Sequence, residues 1–176
     1  RIRGKHANLL VAATGTGKTV MAAADYASLR KKLPRSRLLF VAHREEILRK
    51  SLQTFRHVVG QADFGELWVG AQRPQRFSHV FASVQTLARQ NLADIASDHF
   101  DVVIVDEFHH AAARSYERLL EHLRPVELLG LTATPERADG LSVLSYFDDE
   151  IAAELRLWDA IDQRRLAPFI YFGVHD

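Results

Sequence analysis

The stretch Asn8-Leu9-Leu10-Val11-Ala12-Ala13-Thr14-Gly15-Thr16-Gly17-Lys18-Thr19 decides how the rest of the chain is read. Its first half, Asn8 to Ala13, is a short apolar run of the kind that forms a buried strand, and a helical pattern from about Lys18 to Arg30 follows the glycines. A strand that passes through a glycine turn into a helix is the context in which backbone N–H groups curl around phosphate oxygens. Glycine keeps side chains out of the way, and the helix N-terminus adds a favourable dipole. In this pattern Thr14, Gly15, Thr16 and Gly17 form the cradle, Lys18 would reach the β and γ phosphates of a nucleotide, and the Thr19 hydroxyl would hold Mg2+. Ala12 stands where the first glycine usually is. A chance glycine turn is the plainer reading, and the strand before and helix after argue against it.

Outward from the loop, β-rich runs alternate with helical patterns. Strands are expected at Arg37 to Ala42, Leu67 to Val69, His79 to Val84, Val102 to Val105 and Leu128 to Leu131. An amphipathic helix from Arg44 to Phe55 carries Leu48, Leu52 and Phe55 on one stripe, with Glu45/Arg49 and Glu46/Lys50 as supporting pairs. A later helix has Tyr116, Leu119, Leu120 and Leu123 at core spacing. This alternation predicts parallel strands joined by helical crossovers, with Val102 to Val105, the most apolar run, at the centre. It also places polar residues just after several strands, where ligands bind in an open parallel sheet.

The 176 residues suffice for one domain with a single core. At 47% hydrophobic and 26% charged residues, with 9 Gly and 5 Pro, the composition is that of a soluble globular protein rather than a disordered or fibrous one. Since 23 Lys and Arg oppose 22 Asp and Glu, affinity for a polyanion has to come from local patches. The chain has 0 cysteines, which excludes disulfides and thiolate metal sites and fits a reducing cytoplasm. There is no apolar run of membrane-spanning length and no secretory start, so a cytoplasmic location is expected. The chain opens on Arg1 and ends in mid-pattern, and is expected to be a piece of something larger.

Binding a phosphate does not cleave it; cleavage needs a carboxylate for the metal and a base for the attacking water. Asp106-Glu107, at the tip of the most apolar strand, supplies both: Asp106 to orient Mg2+, and Glu107 to activate water. Capping of a helix near Ala111 would account for one carboxylate better than for two adjacent ones. Taken alone, His109-His110 reads as a loop pair and Thr132-Ala133-Thr134-Pro135 as a turn in which Thr134 caps a helix.

In order along the chain, Ala12 to Thr19, Asp106-Glu107-Phe108-His109 and Leu131-Thr132-Ala133-Thr134-Pro135 resemble the first motor domain of superfamily 2 helicases of the DExH type. They are similar in particular to the bacterial group related to type III restriction-enzyme helicase subunits. The resemblance spans nearly the whole chain. It implies an α/β P-loop NTPase fold, a three-layer α/β/α sandwich with a mainly parallel central sheet (RecA-like), over residues 1–157, with 158–176 as the linker to a second RecA-like domain.

The resemblance further implies that His109, Thr132 and Thr134 couple the ATP site to a nucleic-acid site. Val41 to Leu48 and Phe81 to Leu87 match the segments with which this family touches the sugar-phosphate backbone, which nominates Arg44, Ser83, Gln85 and Thr86. Against that stand an Arg44–Glu pair and a simple helix start at Gln85-Thr86. The basic run Arg30 to Arg37 is read as a solvated helix end. The family's adenine-recognising glutamine would precede Arg1, and its arginine finger belongs to the second domain. The implied activity is ATP hydrolysis coupled to movement along, or separation of, nucleic-acid strands, DNA sooner than RNA; an ATP-switched nucleic-acid-binding module is the alternative.

Overall fold

Two strands have no solvent-facing side, and they set the architecture. Every residue of β2 (Leu38–Ala42) and of β5 (Val102–Val105) is buried, so both faces of the sheet at this point must be covered. The structure, a computed structural model, describes residues 6–110, 114–134, 143–147 and 151–155. Within them β1 (Ala7–Ala12), α1 (Lys18–Arg30), β2, α2 (Glu45–Val59), β3 (Glu66–Trp68), β4 (His79–Ser83), α3 (Val84–Ala88), β5, α4 (Arg114–His122), β6 (Glu127–Thr132) and β7 (Ala153–Leu155) follow one another. The seven strands run in the order β3-β4-β2-β5-β6-β1-β7, and each pairing is parallel. β5 is the middle strand, as its apolar sequence predicts.

Alternation along β2 and β5 divides the core in two. Leu38, Phe40, Ala42, Val102 and Ile104 face the stripe Ala22, Tyr26 and Leu29 of α1 and Leu48, Leu52 and Phe55 of α2. On the other face Leu39, Val41, Val103 and Val105 pack with Leu9 and Val11 of β1 and with Tyr116, Leu119 and Leu123 from α4 and its end. Phe40 stacks on Phe81 at 5.2 Å and meets Phe55 edge-on at 5.7 Å, so large rings fill the first layer.

The predicted helix at Arg44 to Phe55 runs on to Val59 and stops at Gly60, whose φ of 73° suits a left-handed C-cap and whose N–H donates to Arg56 O. Arg49 bonds Glu45 at 2.6 Å, whereas Glu46 and Lys50 form no ion pair among the described residues. β7 is absent from the sequence reading. Its three residues, Ala-Glu-Leu, are too few to show a period, and they become a strand by hydrogen-bonding along the open edge of β1, with Leu10 opposite Ala153. The predicted boundary at 157/158 and the segment beyond it lie outside the described residues. No helix of the described residues is long and apolar enough to cross a membrane.

Gly130 in β6 positions the loop after β5. A Cβ there would lie 2.6 Å from Phe147 Cζ, 2.9 Å from Leu9 Cδ1 and 3.0 Å from Phe108 Cδ2. Phe108, fully buried, thus fills the space over a glycine and pins the backbone next to Asp106-Glu107. Gly130→Ala is expected to overpack this point and lower stability by about 1–3 kcal/mol; chemical denaturation with an unchanged midpoint would show that the three side chains yield freely.

Candidate functional site

Polar residues gather along the C-terminal edge of the sheet for a topological reason. The chain leaves β1 into α1 on one face and leaves β5 toward α4 on the other, with β6 between them. Connections that diverge to opposite faces open a crevice at the strand ends. At its β1 side lies the glycine loop. Gly15 and Gly17 hold φ of 86° and 88°, a region open to glycine and costly for other residues. The turn closes through Thr16, whose amide and hydroxyl both donate to Ala13 O, at 3.3 and 2.7 Å.

α1 starts with no side-chain cap and no acidic residue in its first turn. Its first amides, which have no intrahelical acceptor, are therefore available to an anion. Lys18 Nζ donates to Ala12 O at 2.7 Å and Ala13 O at 3.2 Å, so the ammonium lies over the loop. Thr19, half-buried, follows it.

Across the crevice, Asp106 is 7% exposed; its amide extends the ladder to Val41 O at 2.8 Å, and its Oδ1 accepts the Glu107 N–H at 2.9 Å. Oδ2 accepts no hydrogen bond from the described residues. Burial pushes the Asp106 carboxyl above the usual range, against the pull of the Glu107 amide and Lys18, and the Glu107 carboxylate pushes the same way as burial. Burial likewise lowers Lys18 below the ordinary lysine value, outweighing the attraction of Asp106 and Glu107. Both shifts favour neutral groups, as expected where further charges of both signs are to be bound. Glu107 has φ 53°, left-handed for a residue that is not glycine. Such a conformation is held only where its surroundings over-determine it, and here the buried Phe108 and the Asp106 carboxylate grip it from both sides.

The 3₁₀ turn Phe108–His110 then carries His109 to β6. The Thr132 hydroxyl, on a fully buried residue, donates to Thr134 O at 2.6 Å, and His109 Nδ1 lies 3.2 Å from Thr132 Oγ1. Since the one hydroxyl proton is spent on Thr134, His109 Nδ1 is the donor in the second bond. The Thr134 N–H also points at Thr132 Oγ1, at 3.3 Å. The structure thus joins the three residues that the sequence nominates for coupling in one network.

The nucleic-acid nominees lie along the same edge, beyond β5. Arg44 is exposed and extended at the start of α2, and among the described residues it makes no ion pair. Gln85 reaches back to β2, with Nε2 2.7 Å from His43 Nδ1. Ser83 and Thr86 are instead buried and engaged with each other: Ser83 Oγ accepts the Thr86 N–H at 3.1 Å and donates to Thr86 Oγ1 at 2.7 Å. Thr86 Oγ1 in turn accepts the Gly70 N–H at 3.1 Å. These two hydroxyls shape the rim from within, as the helix-start alternative expects, and Arg44 and Gln85 form its surface. In the basic run Arg30 bonds Gln61 and Arg37 Nη1 lies 3.1 Å from His99 Nδ1, while Lys31, Lys32 and Arg35 are exposed, as a solvated helix end would have them.

Sequence reasoning did not single out His43 or Gly70, whose partners lie 42 and 16 residues away, and it took Tyr116 for a core residue without regard to its phenol. Among the described residues no three His, Cys, Asp or Glu converge as a metal site. A hydroxyl and a single carboxylate are hard oxygen donors of the kind Mg2+ takes while keeping its waters and phosphate ligands. The free Oδ2 of the buried Asp106 fits that set.

The family model described as type III restriction enzyme, res subunit, matches residues 1–137. The chain is 27% identical over 178 residues to the type I restriction enzyme EcoAI endonuclease subunit of Escherichia coli, covering 94% of this chain and 21% of that one. It is 32% identical over 158 residues to the putative mitochondrial ATP-dependent helicase irc3 of Schizosaccharomyces pombe, covering 83% and 25%. It therefore spans about a quarter or less of the length of these curated relatives. Among solved structures, the Hef helicase domain of Pyrococcus furiosus superposes with a TM-score of 0.72 at 23% identity, over 97% of this chain and 39% of that one. A nuclease-deletion mutant of the type ISP restriction-modification enzyme LlaGI, in complex with a DNA substrate mimic, gives 0.70 at 15% identity over 93% and 19%. Both share the fold.

Proposed function

The chain belongs to the family of the type III restriction enzyme, res subunit, as the first RecA-like domain of a superfamily 2 helicase, and on that premise we propose that it binds ATP in the β1–β5 crevice and couples its hydrolysis to movement along, or separation of, DNA strands. The observation that carries this reading is the order of groups on one edge. Phosphate-binding groups stand at β1, carboxylates at β5, exposed Arg44 and half-buried Gln85 at β2 and β4, and the His109–Thr132 bond ties the β5 loop to β6. The restriction-enzyme relative favours DNA, whereas a relative 30% identical over 135 residues carries the name putative ATP-dependent RNA helicase.

In this mechanism the amides from Thr14 to Thr19 and the Lys18 ammonium hold the phosphates. Glu107 takes a proton from a water whose oxygen attacks the γ-phosphorus, the bond from that phosphorus to the β–γ bridging oxygen breaks, and ADP leaves. Thr19 and Asp106 would hold Mg2+, which supplies positive charge to the phosphate oxygens. The transition state calls for one more cation, an arginine from a second RecA-like domain. Arg44 neutralises a backbone phosphate, a contact that positions a strand without reading its sequence.

Strand-displacement and single-molecule translocation measurements on the full protein test the proposal. ATP-dependent movement is expected, abolished in Glu107→Gln while DNA stays bound. ATP-dependent DNA binding with no movement would replace it with the switch reading.

A further inference from the structure

Tyr116 sits in the first turn of α4 at 1% exposure, and its phenol oxygen is the buried side-chain polar atom that finds no hydrogen-bond partner among the described residues. Its ring is part of the cluster that includes Val105 and Phe108, the residues on either side of Asp106-Glu107. A phenylalanine would fill the same volume without stranding a hydroxyl, and a buried donor left unsatisfied is a standing cost to the fold. That cost has a physical reason if the donor is used in another state of the site.

Asp106 and Glu107, flanked in the chain by two residues of that cluster, are the candidate acceptors. Burial foremost, then Glu107 and then Asp106 hold the phenol well above the ordinary tyrosine range, so it is a proton donor at every working pH and lies within the field of both carboxylates. Asp106 has Oδ1 engaged by the Glu107 amide, and its Oδ2 is the oxygen assigned to Mg2+. Glu107, between β5 and the 3₁₀ turn, has a carboxylate that accepts no hydrogen bond from the described residues, and is the one of the two left to accept from the phenol.

We propose that Tyr116 is a positioning residue for hydrolysis, its phenol O–H donating to the Glu107 carboxylate when nucleotide is bound and so aiming the other carboxylate oxygen at the attacking water. This rests on the reading of Glu107 as the base. No bond is made or broken at Tyr116; the water's proton goes to Glu107.

The test is Tyr116→Phe in the full protein, beside Glu107→Gln. Tyr116→Phe is expected to lower kcat by about 10- to 100-fold, the worth of one hydrogen bond to a charged group, with KM for ATP unchanged and the melting temperature unchanged or raised. Wild-type kcat in Tyr116→Phe, with Glu107→Gln inactive, would overturn the proposal and leave the base reading intact. A lowered melting temperature would overturn it too, by showing that the phenol is already engaged in the free protein. Full turnover in Glu107→Gln would remove the base reading itself.

Discussion

These 176 residues on their own should hydrolyse ATP about 10³ to 10⁵ times more slowly than the full protein, with or without DNA, while still binding the nucleotide. The reason lies in the charge inventory of the crevice. Lys18 is the cation that the described residues bring beside Asp106 and Glu107, and it is tied to Ala12 O and Ala13 O at the loop. It can neutralise phosphate in the ground state. Charge that develops on the γ-phosphoryl oxygens in the transition state has to be met by a group that approaches later, and an arginine from a second domain is the expected source. Equilibrium binding of a labelled ATP analogue and steady-state phosphate release, measured on the piece and on the full protein, separate the two contributions. Robust DNA-stimulated turnover by the piece alone would sink the idea.

Glu107→Gln is the second large effect. Removing a general base should cost about 10² to 10⁴ in kcat, with KM for ATP little changed because Glu107 is assigned no contact to the phosphates. Glutamine has the same size and keeps the amide that donates to Asp106 Oδ1, so thermal stability should hold. Glu107→Gly is the companion control: it removes the carboxylate and relieves the φ of 53°, and should be as inactive as the glutamine variant while no less stable. Turnover within a few-fold of wild type in both would show that the water is activated elsewhere.

In the proposed coupling, His109, Thr132 and Thr134 would carry these effects toward the nucleic-acid side. His109 donates to a hydroxyl that is itself committed to Thr134, so a shift of the Glu107–Phe108 backbone is felt at the end of β6. Phe108 is clamped by Gly130 and Phe147, which makes this loop a rigid element rather than a free one. Toward β2 and β4, the His43–Gln85 contact and the Gly70–Thr86 bond tie the strand-end loops to one another. Short contacts thus join neighbouring strand ends along this edge.

The sequence by itself determined that the domain is a parallel α/β sheet, because buried strands and amphipathic helices write their periods locally. It also picked out the glycine turn and the two carboxylates as the candidate site, because glycines at Gly15 and Gly17 and an acidic pair ending an apolar strand are adjacent in the chain. Tertiary structure alone decided which polar groups are spent and which are free. Ser83 and Thr86 look like two surface donors in the sequence and are a buried cap in the fold, closed over by the turn after β3, whose Gly70 N–H donates to Thr86 Oγ1. β7 exists because β1 has an open edge, not because Ala153–Leu155 prefers to be extended. The stranded phenol of Tyr116 and the left-handed Glu107 are likewise invisible along the chain. A hydroxyl's partners and a backbone's strain depend on what is packed beside them, and packing brings together residues that the sequence keeps far apart.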